Sequence, residues 1–365
     1  MERPRSLSST RCTKKRSVTM AIIPNSLKSQ AVIPSLKSCL IGQGKVGDKY
    51  YHPTDDDLLI SVRSDRISVF DFVLPFTVPR KGEVLTALPH HFATALLAQC
   101  GIANHLVGSE KYPGYNLAKD LADDFPDIDL KRTMVVREHN IVPFELIFRK
   151  HIGGSVWDEF LETGAVAGHV LPLGFKKWQG LDSPIFTPST KEEFGHDINQ
   201  PANAFYERYG EAGQKAVRQL TELYISAYNL LDWFDVNLLD TKFEISFLPD
   251  GDFVLCDEWL TPDSSRFVEI EELESAILQG REPAFLDKQP VRDFCAKIET
   301  PFKNEKGRPI VGFKGLDPTN LEHVAFVANY SYPPEIAIET SERYLNIFHL
   351  VTGLELDTYQ EYNIL

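Results

Sequence analysis

The chain has 365 residues, 43% of them hydrophobic, which is enough to bury a substantial core across two domains. A formal net charge of −14 argues against a general nucleic-acid surface, and no apolar run reaches the length of a membrane-spanning helix. Five scattered cysteines, with no Cys-x-x-Cys pair or Cys/His cluster, argue against structural zinc and fit a reducing compartment.

Residues 1–35 are rich in serine and basic side chains without periodicity, and predict a disordered basic tail. An acid-poor start of this kind also resembles an organelle transit peptide; the preferred expectation is a plain tail, or a true start at Met20. The first of the two domains is expected over 36–136. It opens with Ile41-Gly42-Gln43-Gly44-Lys45-Val46-Gly47-Asp48-Lys49-Tyr50, three glycines interleaved with lysines. Backbone N–H groups of such a loop can approach phosphates. The order of elements is not that of a Walker A or Rossmann fingerprint, so on its own an ordinary glycine turn serves as well. Ser64–Asp71 is a polar knot between strand-like runs, Pro79–Gly82 a turn, and Pro89–Cys100 a helix with Phe92, Leu96 and Leu97 inward.

Residues 137–302 are expected to form a second domain. Lys131–Arg137 and Pro143–Arg149 read as strands of a hairpin around His139-Asn140. Arg149 is followed by Gly153-Gly154-Ser155 at a helix start, which suits an anion, or else a surface arginine and an ordinary serine cap. Pro172–Gln200 is a long Pro/Gly-rich loop that carries Lys191 and Asp197. Glu211–Trp233 is an amphipathic helix with Val217, Leu220, Tyr224, Ala227 and Leu231 on one stripe.

The helix leads into a hairpin over Val236–Phe267. With the turn centred on Asp250-Gly251, partner numbers sum to 501, which sets Glu244 opposite Asp257. Phe243, Ile245 and Phe247 then share an apolar face with Val254 and Cys256. Two facing carboxylates repel unless a cation joins them, and oxygen-only ligation suits Mg²⁺, with Lys242 on the same face. The plainer alternative is a solvated face with scattered charges. Asp263, Ser265 and Arg266 lie just past the strand end, and Asp287-Lys288-Gln289 with Arg292 forms a further polar cluster. Residues 303–365 read as a Gly/Pro-rich linker, Lys303–Pro318, and a closing helix near Pro334–Gly353 with Tyr344, Ile347 and Leu350 inward.

These motifs occur together in one order: GKVxDxY, SDRISxxD, the Arg149–Ser155 segment, TPSTKxExGHD, DTKFE, DExLTPDSSRF, DKQxxRD and ETSERYLNIFHLVTG. In this the chain resembles the phosphoribosylaminoimidazole-succinocarboxamide synthase (SAICAR synthetase) family, from about Gly42 to Gly353. The resemblance implies an α+β fold, with an N-terminal antiparallel β domain, a larger α/β domain and ATP in the cleft between them. It implies a cytoplasmic ATP-dependent ligase, a monomer or small homo-oligomer, that joins L-aspartate to carboxyaminoimidazole ribonucleotide through an acyl phosphate. By the same resemblance Gly44, Lys45, Lys49 and Lys81 meet the nucleotide, and Glu244 and Asp257 hold Mg²⁺. Lys242, Lys191 and Asp197 are catalytic; Arg149, Ser155, Asp263, Ser265, Arg266, Asp287 and Lys288 hold substrate. The rival readings are a weakened nucleotide-binding paralogue and a kinase-type phosphotransferase.

Two positions depart from the family pattern. Gly47 stands where a basic residue is usual, and Ile198 where glutamate often follows His-Asp. If the loop path is unaltered, Gly47→Arg is expected to restore a cation and lower the KM for ATP; if backbone amides have taken over, it is expected to crowd the loop and weaken ATP binding.

Overall fold

The computed structural model describes residues 27, 33–108, 121–122, 124–172, 174–190 and 199–365. Lys191, Asp197 and Ile198 lie outside the described residues, as do nearly all of residues 1–32. A small antiparallel sheet holds β1 (Leu40–Gln43), β2 (Gly47–Tyr51), β3 (Leu58–Arg63) and β6 (Thr133–Arg137), in the order β1-β2-β3-β6. Between β3 and β6 the chain makes the β4–β5 hairpin (Arg66–Val69, Phe72–Thr77). Phe70 and Asp71 turn it with φ of 51° and 66°, the left-handed pair that matches strand twist.

Helix α1 (Lys81–Phe92) follows, running into a wider turn at Ala93–Leu97. It starts eight residues before the expected Pro89, because the Asp65 carboxylate caps it from outside, accepting from the Gly82 N–H at 2.9 Å. Phe92, Leu96 and Leu97 are buried, as their spacing predicts.

The larger sheet contains β7 (Phe144–His151), β10 (Gly180–Phe186), β11 (Ser189–Thr190), β12 (Val236–Phe247), β13 (Phe253–Cys256) and β14 (Ser265–Glu269). Its main order is β10-β7-β12-β13, with β11 beside β7 and β14 beside β12. The expected β6–β7 hairpin does not form. β6 pairs with β3 and β7 with β12, so the chain crosses from one sheet to the other at residues 138–143. Helix α2 (Ser155–Thr163) and a small ladder of β8 (Ala165–Val166) and β9 (His169–Val170) flank this sheet.

α3 (Ala202–Asp232) lays Val217, Leu220, Tyr224, Ala227 and Leu231, all buried, against the apolar face of β12. α4 (Ile270–Gln279) and α5 (Gln289–Cys295) come after β14. The expected linker after residue 303 contains structure of its own: β15 (Glu299–Lys303) and β16 (Pro309–Val311) form a ladder. α6 (Leu321–Asn329), α7 (Pro334–Thr352) and α8 (Leu356–Asn363) complete the chain.

The hairpin register differs from expectation by one residue. Gly251 N–H donates to Leu248 O (3.0 Å) and Leu248 N–H to Asp252 O (2.8 Å), with Gly251 at φ 87°. The loop therefore has three residues, Pro249-Asp250-Gly251, with the last one left-handed. Glu244 pairs with Cys256, Ile245 with Leu255, Ser246 with Val254 and Phe247 with Phe253, so partner numbers sum to 500. A shift of one exchanges the faces of β13. Val254 and Cys256 join the Glu244 face, Phe253 and Leu255 join the apolar face, and Asp257 falls beyond the ladder.

Residues 103–107 join the two sheets. Leu255 N–H donates to Ala103 O and His105 N–H to Leu255 O, both at 2.9 Å, while Arg137 N–H donates to His105 O at 2.8 Å. The largest core runs through this junction from α1 to α3 and α7, across the expected boundary at residues 136–137. A separate core packs β4–β5 against Val291, Cys295, Phe313 and Val327, so the C-terminal third folds back on the N-terminal hairpin.

His105 is buried at the junction, its ring edge-on to Trp259 with centroids 5.9 Å apart. Burial, with Lys49 and Arg63 nearby and only Asp257 pulling the other way, pushes its pKa down to about 3. Between about pH 6.5 and pH 3 the unfolded chain binds a proton that the folded chain does not, so stability falls as pH falls. From pH 6.5 to pH 5 this one group should remove about 1.5 kcal/mol. Denaturant unfolding at both pH values should show a smaller loss for His105→Gln than for wild type; equal losses would contradict the assignment.

Candidate active site

Side chains on a strand alternate between faces, so Asp240, Lys242 and Glu244 share one face of β12. The register of the sheet then decides their neighbours. Asp240 is the cross-strand partner of Arg149 on β7 and also of Arg266 on β14. Arg149 Nη1 donates to Asp240 Oδ2 at 2.9 Å and Arg266 Nη1 to the same oxygen at 2.5 Å. Burial opposes the charge on Asp240, yet Arg266 and Arg149 hold its carboxyl below the usual range. The trio carries a net positive charge and faces the start of α2. Gly154 there has φ 63°, and a Cβ at that position would come within 3.0 Å of Arg266 Nη2. Arg149 Nε also donates to Thr187 Oγ1 at 2.8 Å, and Arg266 lies over the Trp178 ring, 5.8 Å from its centroid. The side chain of Ser155 lies outside the described positions.

Lys242 Nζ contacts Glu145 Oε1 of β7 at 2.8 Å and Glu244 Oε1 at 3.3 Å. Burial disfavours its charge, but Glu244, Glu145 and, further off, Asp257 raise the ammonium well above its ordinary pKa. Glu244 is only 2% exposed. Asp257 stands just past β13 with φ 60°, and Arg63 of β3 donates to its carbonyl at 3.0 Å. Glu258 accepts from Thr261 Oγ1 at 2.9 Å, and Ser265 Oγ lies 2.7 Å from Thr241 Oγ1.

Asp263 forms a second charged centre. Lys81 Nζ lies 2.7 Å from its Oδ2, Lys288 Nζ 3.5 Å from its Oδ1, and the Tyr344 hydroxyl donates to Oδ1 at 2.6 Å. Burial opposes the charge on Asp263, yet Lys288, Lys81 and the Tyr344 hydroxyl hold the carboxyl far below its usual range. Lys81, expected at the nucleotide, has no exposed surface in this pair with Asp263. Asp287 accepts from Gln289 N–H at 2.6 Å and lies 3.4 Å from Arg292 Nη1; burial raises its pKa against the pull of Arg292 and Arg266.

The glycine loop is braced from below. Gly44 N–H donates to Gly47 O at 2.7 Å, and Arg66 donates to Gly44 O at 3.0 Å. Arg66 also pairs with Asp48, and neither has any exposed surface. Two sequence motifs, GKVxDxY and SDRIS, thus meet in one buried ion pair that holds the loop path. Lys45 pairs with Asp71 of the β4–β5 turn at 2.7 Å, while Lys49 is exposed on β2 and close enough to Cys256 to act on its thiol.

The family model described as SAICAR synthetase matches residues 40–309 of this chain. The chain belongs to this family. Among relatives, the phosphoribosylaminoimidazole-succinocarboxamide synthase of Leptothrix cholodnii is 38% identical over 71% of this chain and 83% of that protein. That of Corynebacterium glutamicum strain R is 35% identical over 86% of this chain and 93% of its own length. The solved SAICAR synthase of Saccharomyces cerevisiae, complexed with SAICAR, has a TM-score of 0.68 and 27% identity, covering 90% of this chain and 99% of that one. SAICAR synthetases are the ATP-dependent ligases of one step in purine biosynthesis, and the fold is α+β as expected.

Sequence reading missed Asp240, Glu145 and Arg63. Asp240 was findable, since it lies two residues from Lys242 on the same strand face. Glu145 and Arg63 carry no local signal because their partners lie 97 and 194 residues away. Gly47 also needs correction. It has no left-handed φ, and a Cβ there would meet Val62 O at 2.7 Å, so glycine serves a close approach of β2 to β3. Gly47→Arg should therefore push the loop outward and raise the KM for ATP several-fold, on the order of 1 kcal/mol of lost binding. A lower KM for ATP in this variant would contradict the packing argument.

Proposed function

We propose that this protein joins L-aspartate to carboxyaminoimidazole ribonucleotide, with ATP giving ADP and phosphate, and that an acyl phosphate links the two halves of the reaction. The observation that carries this reading is the face of β12, where an arginine-flanked carboxylate and a lysine paired with Glu145 and Glu244 sit two residues apart. An oxygen of the ribonucleotide carboxylate attacks the γ-phosphorus of ATP, and the bond to ADP breaks. The aspartate amine then attacks the acyl carbon, the C–N bond forms, and the C–O bond to phosphate breaks. Neither half needs a nucleophile from the protein. Both need fixed positive charge and alignment.

Lys242, held by Glu145 and Glu244, supplies a cation beside the transferring phosphoryl group. Arg149 and Arg266, with the N-terminal amides of α2, suit the ribonucleotide's phosphate, where bidentate guanidinium contacts and a helix start favour a dianion. The glycine loop with Lys45 and Lys49 suits the ATP phosphates, from the side of the small sheet, so that nucleotide binds in the cleft between 36–136 and 137–302. Lys191 and Asp197 are proposed to face the substrates. Asp263, Ser265, Asp287 and Lys288 form the surrounding polar wall.

Mg²⁺ fits Glu244 and Asp257. Both are oxygen donors, Glu244 is buried beside Lys242, and Asp257 directly follows the cross-strand partner of Glu244. Two carboxylates leave the remaining positions to phosphates and water, the ligation this ion prefers. When bound, it offsets the charge of the ATP phosphates. Among the described residues no helix is long and apolar enough to cross a membrane. A cytoplasmic monomer or small homo-oligomer is the matching proposal.

Product analysis with and without L-aspartate tests the reading. SAICAR, ADP and phosphate should appear in equal amounts only when aspartate is present, and Glu244→Ala should lower kcat on the order of 100-fold. A stable phosphorylated ribonucleotide as the end product in the presence of aspartate would mean a phosphotransferase. Wild-type turnover by Glu244→Ala would remove Glu244 from the machinery.

A further inference from the structure

Asp257 occupies a place where the sheet no longer dictates direction. β13 ends at Cys256, and the left-handed φ of 60° at Asp257 turns the chain out of the ladder. By strand alternation alone its side chain belongs on the face opposite Glu244. Asp257 nonetheless directly follows Cys256, the cross-strand partner of Glu244, and the charges of both carboxylates act on Lys242. Something must hold this out-of-ladder conformation.

Arg63 is placed to do so. Its Nη2 donates to Asp257 O at 3.0 Å and lies 3.5 Å from Asp257 Oδ1, so one guanidinium nitrogen contacts both the backbone and the carboxylate of that residue. The side chain is only 5% exposed although it sits at the end of β3 in the other sheet. The same residue is tied to the glycine loop. Arg63 is the cross-strand partner of Gly47, and the N–H of Ser64 donates to Val46 O at 2.9 Å. A continuous set of contacts therefore runs from the loop through Arg63 to Asp257.

We propose that Arg63 is a positioning residue that sets the Asp257 carboxylate and couples it to the Gly44–Gly47 loop, so that nucleotide and divalent cation bind as one unit. The proposal rests on the reading of Asp257 as a cation ligand. Lysine at this position keeps the charge, but its ammonium sits on a flexible stem one bond shorter than the reach of Nη2, which makes both contacts to Asp257.

The test is Mn²⁺ binding to the enzyme with a non-hydrolysable ATP analogue, read from the paramagnetic resonance of free Mn²⁺. Wild type is compared with Arg63→Lys, Arg63→Gln and Asp257→Asn, and the KM for the ribonucleotide and the melting temperature are measured alongside. Arg63→Lys and Arg63→Gln should weaken Mn²⁺ about 10- to 100-fold, as loss of a residue supporting a metal ligand does, with the ribonucleotide KM nearly unchanged. Arg63→Lys keeps the charge, so loss of Mn²⁺ affinity in that variant at an unchanged melting temperature separates positioning from simple stability. Wild-type Mn²⁺ affinity in Arg63→Lys, alongside loss in Asp257→Asn, would overturn the role of Arg63 and leave the cation reading standing. Wild-type affinity in Asp257→Asn would remove the cation reading and this proposal with it. Parallel losses of Mn²⁺ and ribonucleotide binding in the Arg63 variants would mean general damage and also overturn it.

Discussion

Asp240 accepts from two arginines at once because β12 lies between β7 and β14 and the register sets Arg149 and Arg266 on either side of it. Three ionised groups in a sheet interior are costly to desolvate, and removing any one leaves the others unpaired. The arrangement holds because each charge has a partner fixed by backbone pairing and not by a flexible side chain alone. It also leaves one positive charge in excess, directed at the glycines that open α2. The rest of the strand follows the same alternation: two residues on, Lys242 meets Glu145 and Glu244, and the next polar position is the buried Glu244 itself.

The small sheet contributes by a different physical route. Its loop is held by a fully buried Arg66–Asp48 pair, and residues 103–107 bond to β13 on one side while His105 O accepts from the end of β6 on the other. A backbone junction of this kind transmits position more faithfully than a surface contact, since its hydrogen bonds have no rotamers to lose. The α7 helix adds a second brace, with Tyr344 on Asp263 and the Ser341 hydroxyl donating to Pro79 O at 2.7 Å.

Much of this was legible in the sequence where the signal is local. The stripe of α3, the apolar residues after Phe92, the closing helix with Tyr344 and Ile347, and the motif set that names the family were all readable from spacing. The hairpin register was not, because Asp-Gly supports both a two-residue and a three-residue loop, and Pro249 tips the choice toward the longer one. The β6–β7 pairing failed for another reason: adjacent strands with a polar connection look the same whether they pair or part into two sheets. Lys81 illustrates a third limit, since a lysine near a glycine reads alike whether it reaches solvent or is closed over by Asp263. Arg63 shows the fourth, a contact across 194 residues with no pattern to announce it.

A face that activates a carboxylate through phosphate leaves a record in the oxygen atoms. With both carboxylate oxygens of the ribonucleotide labelled with ¹⁸O, phosphoryl transfer and expulsion by the aspartate amine send one label into inorganic phosphate and keep one in the new amide. Mass spectrometry of the phosphate released in a single turnover measures this directly. One ¹⁸O per phosphate is the predicted result; unlabelled phosphate, with SAICAR still formed, would contradict an acyl phosphate on the β12 face.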